Sequence, residues 1–311
     1  MSPTTSPFGP LAVLVDARAG NGAVEREVDA VEHALTARGL SYRLHVAPDP
    51  ASLSVLSASA LDQGYRFLAA VGDDATVQDV VNGMFRDGRP IVEGAVLGVV
   101  GAHTSCDLPL SFGLPRDVDG AVGHLAGSNT YPLDVMKIAV TQPNGTRVIR
   151  YAHNVGEVGF HAAATIASGG PGRLANARRF LGFWRAYVRS GRSELTIATD
   201  RKTIETVAWS VVIGNGQFTD GGIRLSPRSF PGDGVLDALV FTGPRSDAYR
   251  MLPRIFRHGD HLPDPNILEL RAKLKIDIDA ATPMPVVADG RRLGTTPVAF
   301  QVVPQQIRLK V

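Results

Sequence analysis

Between residues 11 and 100 the chain alternates short apolar runs with longer stretches of helical periodicity, and that alternation leaves few folds open. The runs Leu11 to Val15, Arg43 to Ala47, Phe67 to Val71 and Ala95 to Val100 have the length of buried strands. Between them, 23–38, 51–63 and 76–85 carry the spacing of helices with one apolar face. Strand, helix and strand in this order predict βαβ units on a parallel sheet. In such sheets ligands sit beyond the carboxyl ends of the strands, so the loops 16–22, 72–76 and 101–109 are the ones to examine.

Past residue 130 the texture becomes β-rich. Strands are expected over 133–140, 147–154, 194–198, 203–213, 235–241, 274–278, 285–289 and 298–303, with helices near 160–191 and 246–257. Turn signals such as Pro143-Asn144-Gly145 and Asp289-Gly290 separate them. The expected organisation is a frayed tip at 1–10, an α/β domain with a parallel sheet over 11–130, and a β-sandwich domain over 131–311 whose last strand can return to the first domain.

Bulk composition excludes several classes. A single cysteine, Cys106, cannot form an internal disulfide or a multi-cysteine zinc site, which fits a reducing cytoplasm. No run approaches the roughly 18 to 20 apolar residues needed to cross a bilayer. The net charge of +2 lacks the excess that a general nucleic-acid binder needs, so no nucleic-acid partner is expected.

Three loops could carry chemistry. In Val71-Gly-Asp-Asp-Ala-Thr76 a strand ends, an acidic turn follows and a helix opens. Free N–H groups at such a helix start attract phosphate, whereas Asp73 and Asp74 could equally serve as helix caps. The loop Gly101-Ala-His-Thr-Ser-Cys-Asp-Leu-Pro109 is rich in small hydroxylated residues that suit a nucleotide; His103 and Cys106 have no third orienting group and are read as turn residues. In the second half, Asp233, Asp237 and Asp289 lie on turns, where carboxylates supply hard oxygen ligands, a general base or simple hairpin corners.

Taken in order, these features resemble the diacylglycerol kinase catalytic-domain family, which includes bacterial lipid kinases and sphingosine kinases and is distantly similar to NAD kinases. The features are a small-residue loop after the first strand, the acidic turn leading into Val80-Val81-Asn82-Gly83, a Thr/Asp loop ending in Phe112-Gly-Leu-Pro115, Asn215-Gly216, Asp233-Gly-Val-Leu-Asp237 and Asp289-Gly290. The resemblance covers about Leu11 to Val311. It implies an N-terminal nucleotide domain, a C-terminal β-sandwich and an active site in the cleft between them.

The resemblance assigns roles as well. The family's Gly-Gly-Asp-Gly-Thr falls on Gly72 to Thr76 and keeps Asp74 and Thr76; Asn-Pro-x-Ser-Gly falls on Asp16 to Gly20 and keeps only Gly20. Gly-Thr-x-Asn-Asp falls on His103 to Asp107 and keeps Thr104 and Asp107. It implies ATP and Mg2+ as cofactors, with the nucleotide held near Gly20, Gly22, Gly72, Asp74, Thr76 and Thr104. Asp289 would take the hydroxyl proton, with Asp74 as second candidate, and Asp233, supported by Asp134 and Asp237, would match a metal-binding turn. Asp73 in place of glycine puts a charge where a polyphosphate should sit, and Arg291 reverses an acidic position.

The implied activity is ATP-dependent transfer of the γ-phosphoryl group to the hydroxyl of diacylglycerol or a related lipid. The altered loops keep open a kinase-fold protein that binds lipid without turnover, and NAD kinase stands as a third expectation. The acceptor side points to a membrane: 171–192 carry six arginines (173, 178, 179, 185, 189 and 192) and no acid. On a helical wheel Leu174, Ala177, Leu181, Trp184 and Val188 share one face. Such a helix either covers the sandwich with its apolar stripe or lies on anionic lipid, placing the chain peripherally on the inner face of the membrane. An exposed β-edge would allow two chains to pair as a homodimer.

Overall fold

The computed structural model describes residues 6–102, 104–142, 144–168, 175–244, 246–256 and 259–311. His103, Pro143, Arg173 and Leu174, singled out above, lie outside the described residues, as do the side chains of Arg178 and Arg179. The chain divides into two compact units, Met1–Asp134 with Pro304–Val311, and Val135–Val303.

The first unit runs β1 (Leu11–Val15), α1 (Ala19–Ala37), β2 (Tyr42–Val46), α2 (Pro50–Asp62), β3 (Phe67–Val71), α3 (Asp74–Gly83), the small hairpin β4 (Phe85–Arg86) and β5 (Arg89–Pro90), β6 (Val96–Val100), α4 (Leu108–Ser111) and α5 (Val118–Leu125). Strands β2, β1, β3 and β6 pair in that order and all in parallel. The closing residues of the chain add a fifth parallel strand, with Arg308 opposite Val96. Every residue of β1, β3 and β6 is buried, as continuous apolar runs covered on both faces require. Helix α5 carries little sign in the sequence, because two of its eight residues are glycine, which lowers its helix propensity. Asp117 nonetheless caps it by accepting a bond from Gly120 N at 2.8 Å.

The second unit contains most of β7 (Thr130–Thr141), then β8 (Arg147–Ala152), β9 (Val155–Gly159), α6 (Phe160–Ser168), α7 (Ala175–Arg189), β10 (Ser193–Thr199), β11 (Thr203–Ala208), β12 (Ser210–Gly214), the short pair β13 (Phe218–Thr219) and β14 (Ile223–Arg224), β15 (Leu236–Phe241), α8 (Asp247–Phe256), β16 (Ile267–Ala272), β17 (Lys275–Ala280), β18 (Pro285–Ala288) and β19 (Arg291–Lys310). Its strands pair antiparallel: β16, β15, β12, β9 and β18 lie side by side. The long β19 first pairs with β18 and then with β17, joining the β10–β11 side of the sandwich. Ile138, Val158, Ile197, Ile213, Val240, Ile278, Val286 and Phe300 fill its core.

The single strand expected over 203–213 is two, because the chain steps across at Trp209. The indole is 2% exposed, and Trp209 N donates to the carbonyl of Phe241. Around it Phe160, His161 and Phe241 pack ring against ring. Ser210 Oγ lies 2.8 Å from His161 Nδ1. Burial, reinforced by His261, pushes the His161 imidazole down from 6.5 to about 3, so the ring is neutral in the fold.

An unfolded chain protonates this histidine near its ordinary value, so the stability tied to the neutral ring is present above about pH 6.5 and lost as pH falls towards about 3. Denaturant titrations at about pH 7 and about pH 5 should show this loss in the wild type and less of it in His161→Gln. Equal losses in both proteins would contradict it.

Candidate functional site

In the first unit the loops after β1, β3 and β6 meet, which is where a parallel sheet gathers a ligand. Gly20, Asn21 and Gly22 all take left-handed backbone angles, with φ of 63°, 58° and 75°. A Cβ on Gly20 would lie 2.9 Å from Thr104 Cγ2, so only glycine lets the first loop rest on the third. Thr104 Oγ1 donates to the carbonyl of Gly72 at 2.8 Å, and a Cβ on Gly72 would overlap Thr76. Gly20, Gly72, Asp74, Thr76 and Thr104 are thereby brought together. Gly22 stands outside this cluster, where the nearest atom to a Cβ is Glu25 Oε2 of its own helix at 3.7 Å.

The polar groups expected to face a phosphate are engaged by the protein itself. Asp73 is the N-cap of α3: its Oδ1 accepts from Thr76 N at 2.9 Å and from Thr76 Oγ1 at 3.0 Å. Asp74 Oδ1 accepts from Asp107 N at 2.9 Å and Leu108 N at 3.4 Å, which ties the second loop to the third. In this arrangement the hydroxyls of Thr76 and Thr104 are internal donors, and Asp74 clamps the second loop to the third. The positive end of α3 draws the nearest anion, and that is the side chain of Asp73, three residues before Thr76. Cys106 is fully buried beside these groups, and burial together with the charges of Asp74, Asp107 and Asp73 pushes its thiol well above the usual range. A thiol so protonated is no nucleophile.

In the second unit Asp289 and Gly290 form the two-residue turn between β18 and β19, with φ of 44° and 77°. The side chain of Asp289 points inward and is 0% exposed. Its Oδ1 accepts from Asn154 N at 3.1 Å and Val155 N at 3.0 Å, and its Oδ2 accepts from His153 N at 2.7 Å. His153 Nδ1 lies 2.9 Å from the same Oδ2. Asp289, the base that the resemblance implies, is here an enclosed acceptor that fixes the reversal between β8 and β9.

Glu157, not singled out in the sequence, lies one strand away. It sits in β9 opposite Val287 and Val212, is 3% exposed, and its Oε2 accepts from Thr165 Oγ1 at 2.7 Å. Burial, followed by the charge of Asp220, pushes its carboxyl up from 4.5 to about 8. The group therefore holds a proton at neutral pH. The available signal was a single acid at the centre of Val155-Gly-Glu-Val-Gly159, a run otherwise of apolar and small residues.

The expected metal turn is held by a guanidinium. Asp237 accepts from Arg271 Nε at 2.8 Å and from Ser229 Oγ at 2.9 Å, while Asp233 Oδ2 lies 3.6 Å from Arg271 Nη2. Arg271 thus brings positive charge to both carboxylates of this turn. Asp134, in the first unit, accepts from Gln305 N at 3.0 Å. Among the described residues no group of three or more His, Cys, Asp or Glu side chains is arranged to hold a metal ion.

Comparison with known proteins gives a consistent picture. Residues 10–138 match the diacylglycerol kinase catalytic domain, and residues 162–311 match the YegS C-terminal NAD kinase beta sandwich-like domain. A Pseudomonas aeruginosa protein named "Probable lipid kinase YegS-like" is 26% identical over 314 residues, covering 96% of this chain and 93% of its own. A crystal structure of a diacylglycerol kinase from Bacillus anthracis superposes with a TM-score of 0.69 at 18% identity, covering 98% of each chain. Yeast NADH kinase complexed with NADH reaches a TM-score of 0.53 at 12% identity, over 96% of this chain and 82% of its own.

Two substitutions test the second-unit geometry. The fold keeps Glu157 protonated to about pH 8, whereas the unfolded chain releases that proton near 4.5, so stability is lost as pH rises through this interval. Glu157→Gln, neutral throughout, should lose less stability between about pH 5 and about pH 9 than the wild type; parallel pH profiles would contradict the protonated assignment. Asp289→Asn sets an amide donor against the N–H groups of 153–155 and should cost about 1–3 kcal/mol in denaturant unfolding. An unchanged midpoint would contradict the acceptor role.

Proposed function

Because the chain belongs to the diacylglycerol kinase catalytic-domain family, in the form that carries a YegS-type C-terminal domain, we propose that it is an ATP-dependent lipid kinase acting on diacylglycerol or a related lipid alcohol. The observation that carries this reading is the convergence of Gly20, Gly72 and Thr104 at the carboxyl ends of β1, β3 and β6. Glycines at the points of closest approach leave backbone N–H groups within reach of phosphate oxygens.

In the proposed reaction the lipid hydroxyl oxygen attacks the γ-phosphorus in line, the bond from that phosphorus to the β–γ bridging oxygen breaks, and ADP departs with the bond's electrons. Such a transition state is loose, so positioning and charge neutralisation do most of the work. The hydroxyl proton must still be accepted. Asp289, which the resemblance assigns to that step, can take it only after one of its oxygens leaves the backbone of 153–155, whereas the backbone of 107 and 108 engages only the Oδ1 of Asp74. Mg2+ would arrive with the nucleotide and neutralise charge on its phosphates, a role that asks for only one or two protein carboxylates.

One observation favours a second reading, lipid binding without turnover: the Asp73 carboxylate occupies the start of α3. A like charge there opposes the polyphosphate.

Transfer of labelled γ-phosphate into extractable lipid, offered diacylglycerol, monoacylglycerol, ceramide and sphingosine, separates the two. Labelled product is expected; its absence with folded protein would favour lipid binding alone. Asp73→Ser keeps a capping oxygen and removes the charge, so it should lower the KM for Mg·ATP by about tenfold. An unchanged or higher KM would show that Asp73 does not compete with the nucleotide.

A further inference from the structure

Helix α7 faces the opposite way from the one its apolar stripe suggests. The inward side is Gly182, Phe183, Ala186 and Tyr187: a Cβ on Gly182 would lie 2.6 Å from Ser168 N in α6, Ala186 is 3% exposed, and Phe183 stands edge-on to Phe160 at 5.3 Å. That close approach between α6 and α7 fixes the rotation of the helix. The stripe of Leu181, Trp184 and Val188 is consequently turned outward, together with Phe180.

These side chains are exposed to an extent that a free surface tolerates poorly: Val188 72%, Phe180 63%, Leu181 60% and Trp184 36%. Helix α8 extends the patch through Tyr249, itself 60% exposed, whose ring lies 6.0 Å from that of Trp184. Arg185 and Arg189 stand exposed on the same helix, and neither has an ion-pair partner among the described residues. The arginines of α8 differ, since Arg250 pairs with Asp247 and Asp264, and Arg254 with Asp264. The segment 175–192 contains no acid, so nothing within it neutralises Arg185 and Arg189.

We propose that this face of α7, with Tyr249, docks on the surface of an anionic lipid bilayer. Phe180, Leu181, Trp184 and Val188 would enter the boundary between head groups and acyl chains, Tyr249 would lie at head-group level, and Arg185 and Arg189 would meet lipid phosphates. Charge selects this occupant. A second copy of the chain docked symmetrically on the same face would set arginines against arginines, and a neutral surface would leave them without partners.

The test uses the full-length protein without nucleotide or acceptor lipid, so its outcome is independent of catalysis. Vesicles of phosphatidylcholine with phosphatidylglycerol, and vesicles of phosphatidylcholine alone, are compared by co-sedimentation and by quenching with brominated acyl chains. The chain has two tryptophans, and Trp209 is buried, so quenching reports Trp184. Binding to the anionic vesicles that weakens with salt, with Trp184 quenched, is the expected result. Leu181→Ser with Val188→Ser, and separately Arg185→Ala with Arg189→Ala, should each weaken binding by about tenfold or more. All four side chains are exposed, so folding should be unaffected. Folded protein that ignores anionic vesicles, variants that bind as well as the wild type, or a dimer that disappears in the same variants would each overturn the proposal.

Discussion

A backbone N–H shut away from water needs an acceptor, and leaving it without one costs about 1–3 kcal/mol. This chain meets that demand at its candidate sites with its own carboxylates. Asp289 accepts from three successive N–H groups, Asp74 from two, and Asp73 from the first turn of α3. The β8–β9 reversal, the joining of the loops after β3 and β6, and the start of α3 all depend on these bonds. The residues that look most chemical in the sequence are therefore also the ones the loops rely on for their shape. A substitution at any of them changes structure and chemistry together.

The same economy of charge gives the second unit opposed responses to pH. His161 is held neutral by burial and loses stability towards acid, whereas Glu157 is held protonated and loses it towards base. Each is neutral near neutral pH, which is the condition under which burying an ionisable group costs least. Arg271 solves the corresponding problem for Asp237, which is 6% exposed, by pairing rather than by proton uptake.

How much of this is legible in the sequence follows from how local each cause is. β1, β3 and β6 are readable because complete burial demands an unbroken apolar run, and the Asp289-Gly290 turn because it is formed by two adjacent residues. The separation of β8 from β9 is hidden, since the turn between them is set by an acceptor more than 130 positions away. Arg271 as the partner of Asp237 is hidden for the same reason. The rotation of α7 is ambiguous on a wheel because the helix carries two apolar arcs. Gly182 against Ser168 decides between them, and that contact exists only once α6 and α7 pack. Glu157 leaves a local trace, one acid in a buried run, but its proton follows from burial and from Asp220 rather than from its neighbours in sequence.

The central claim is that the loop cluster of the first unit receives the phosphates of a nucleotide. Amide hydrogen exchange with and without Mg·ATP tests it at the residues concerned. Slower exchange over 20–22, 72–76 and 104–108 on addition of nucleotide is the expected result. Unchanged exchange in all three loops at saturating nucleotide would contradict the claim and leave the family's fold here without its phosphate site.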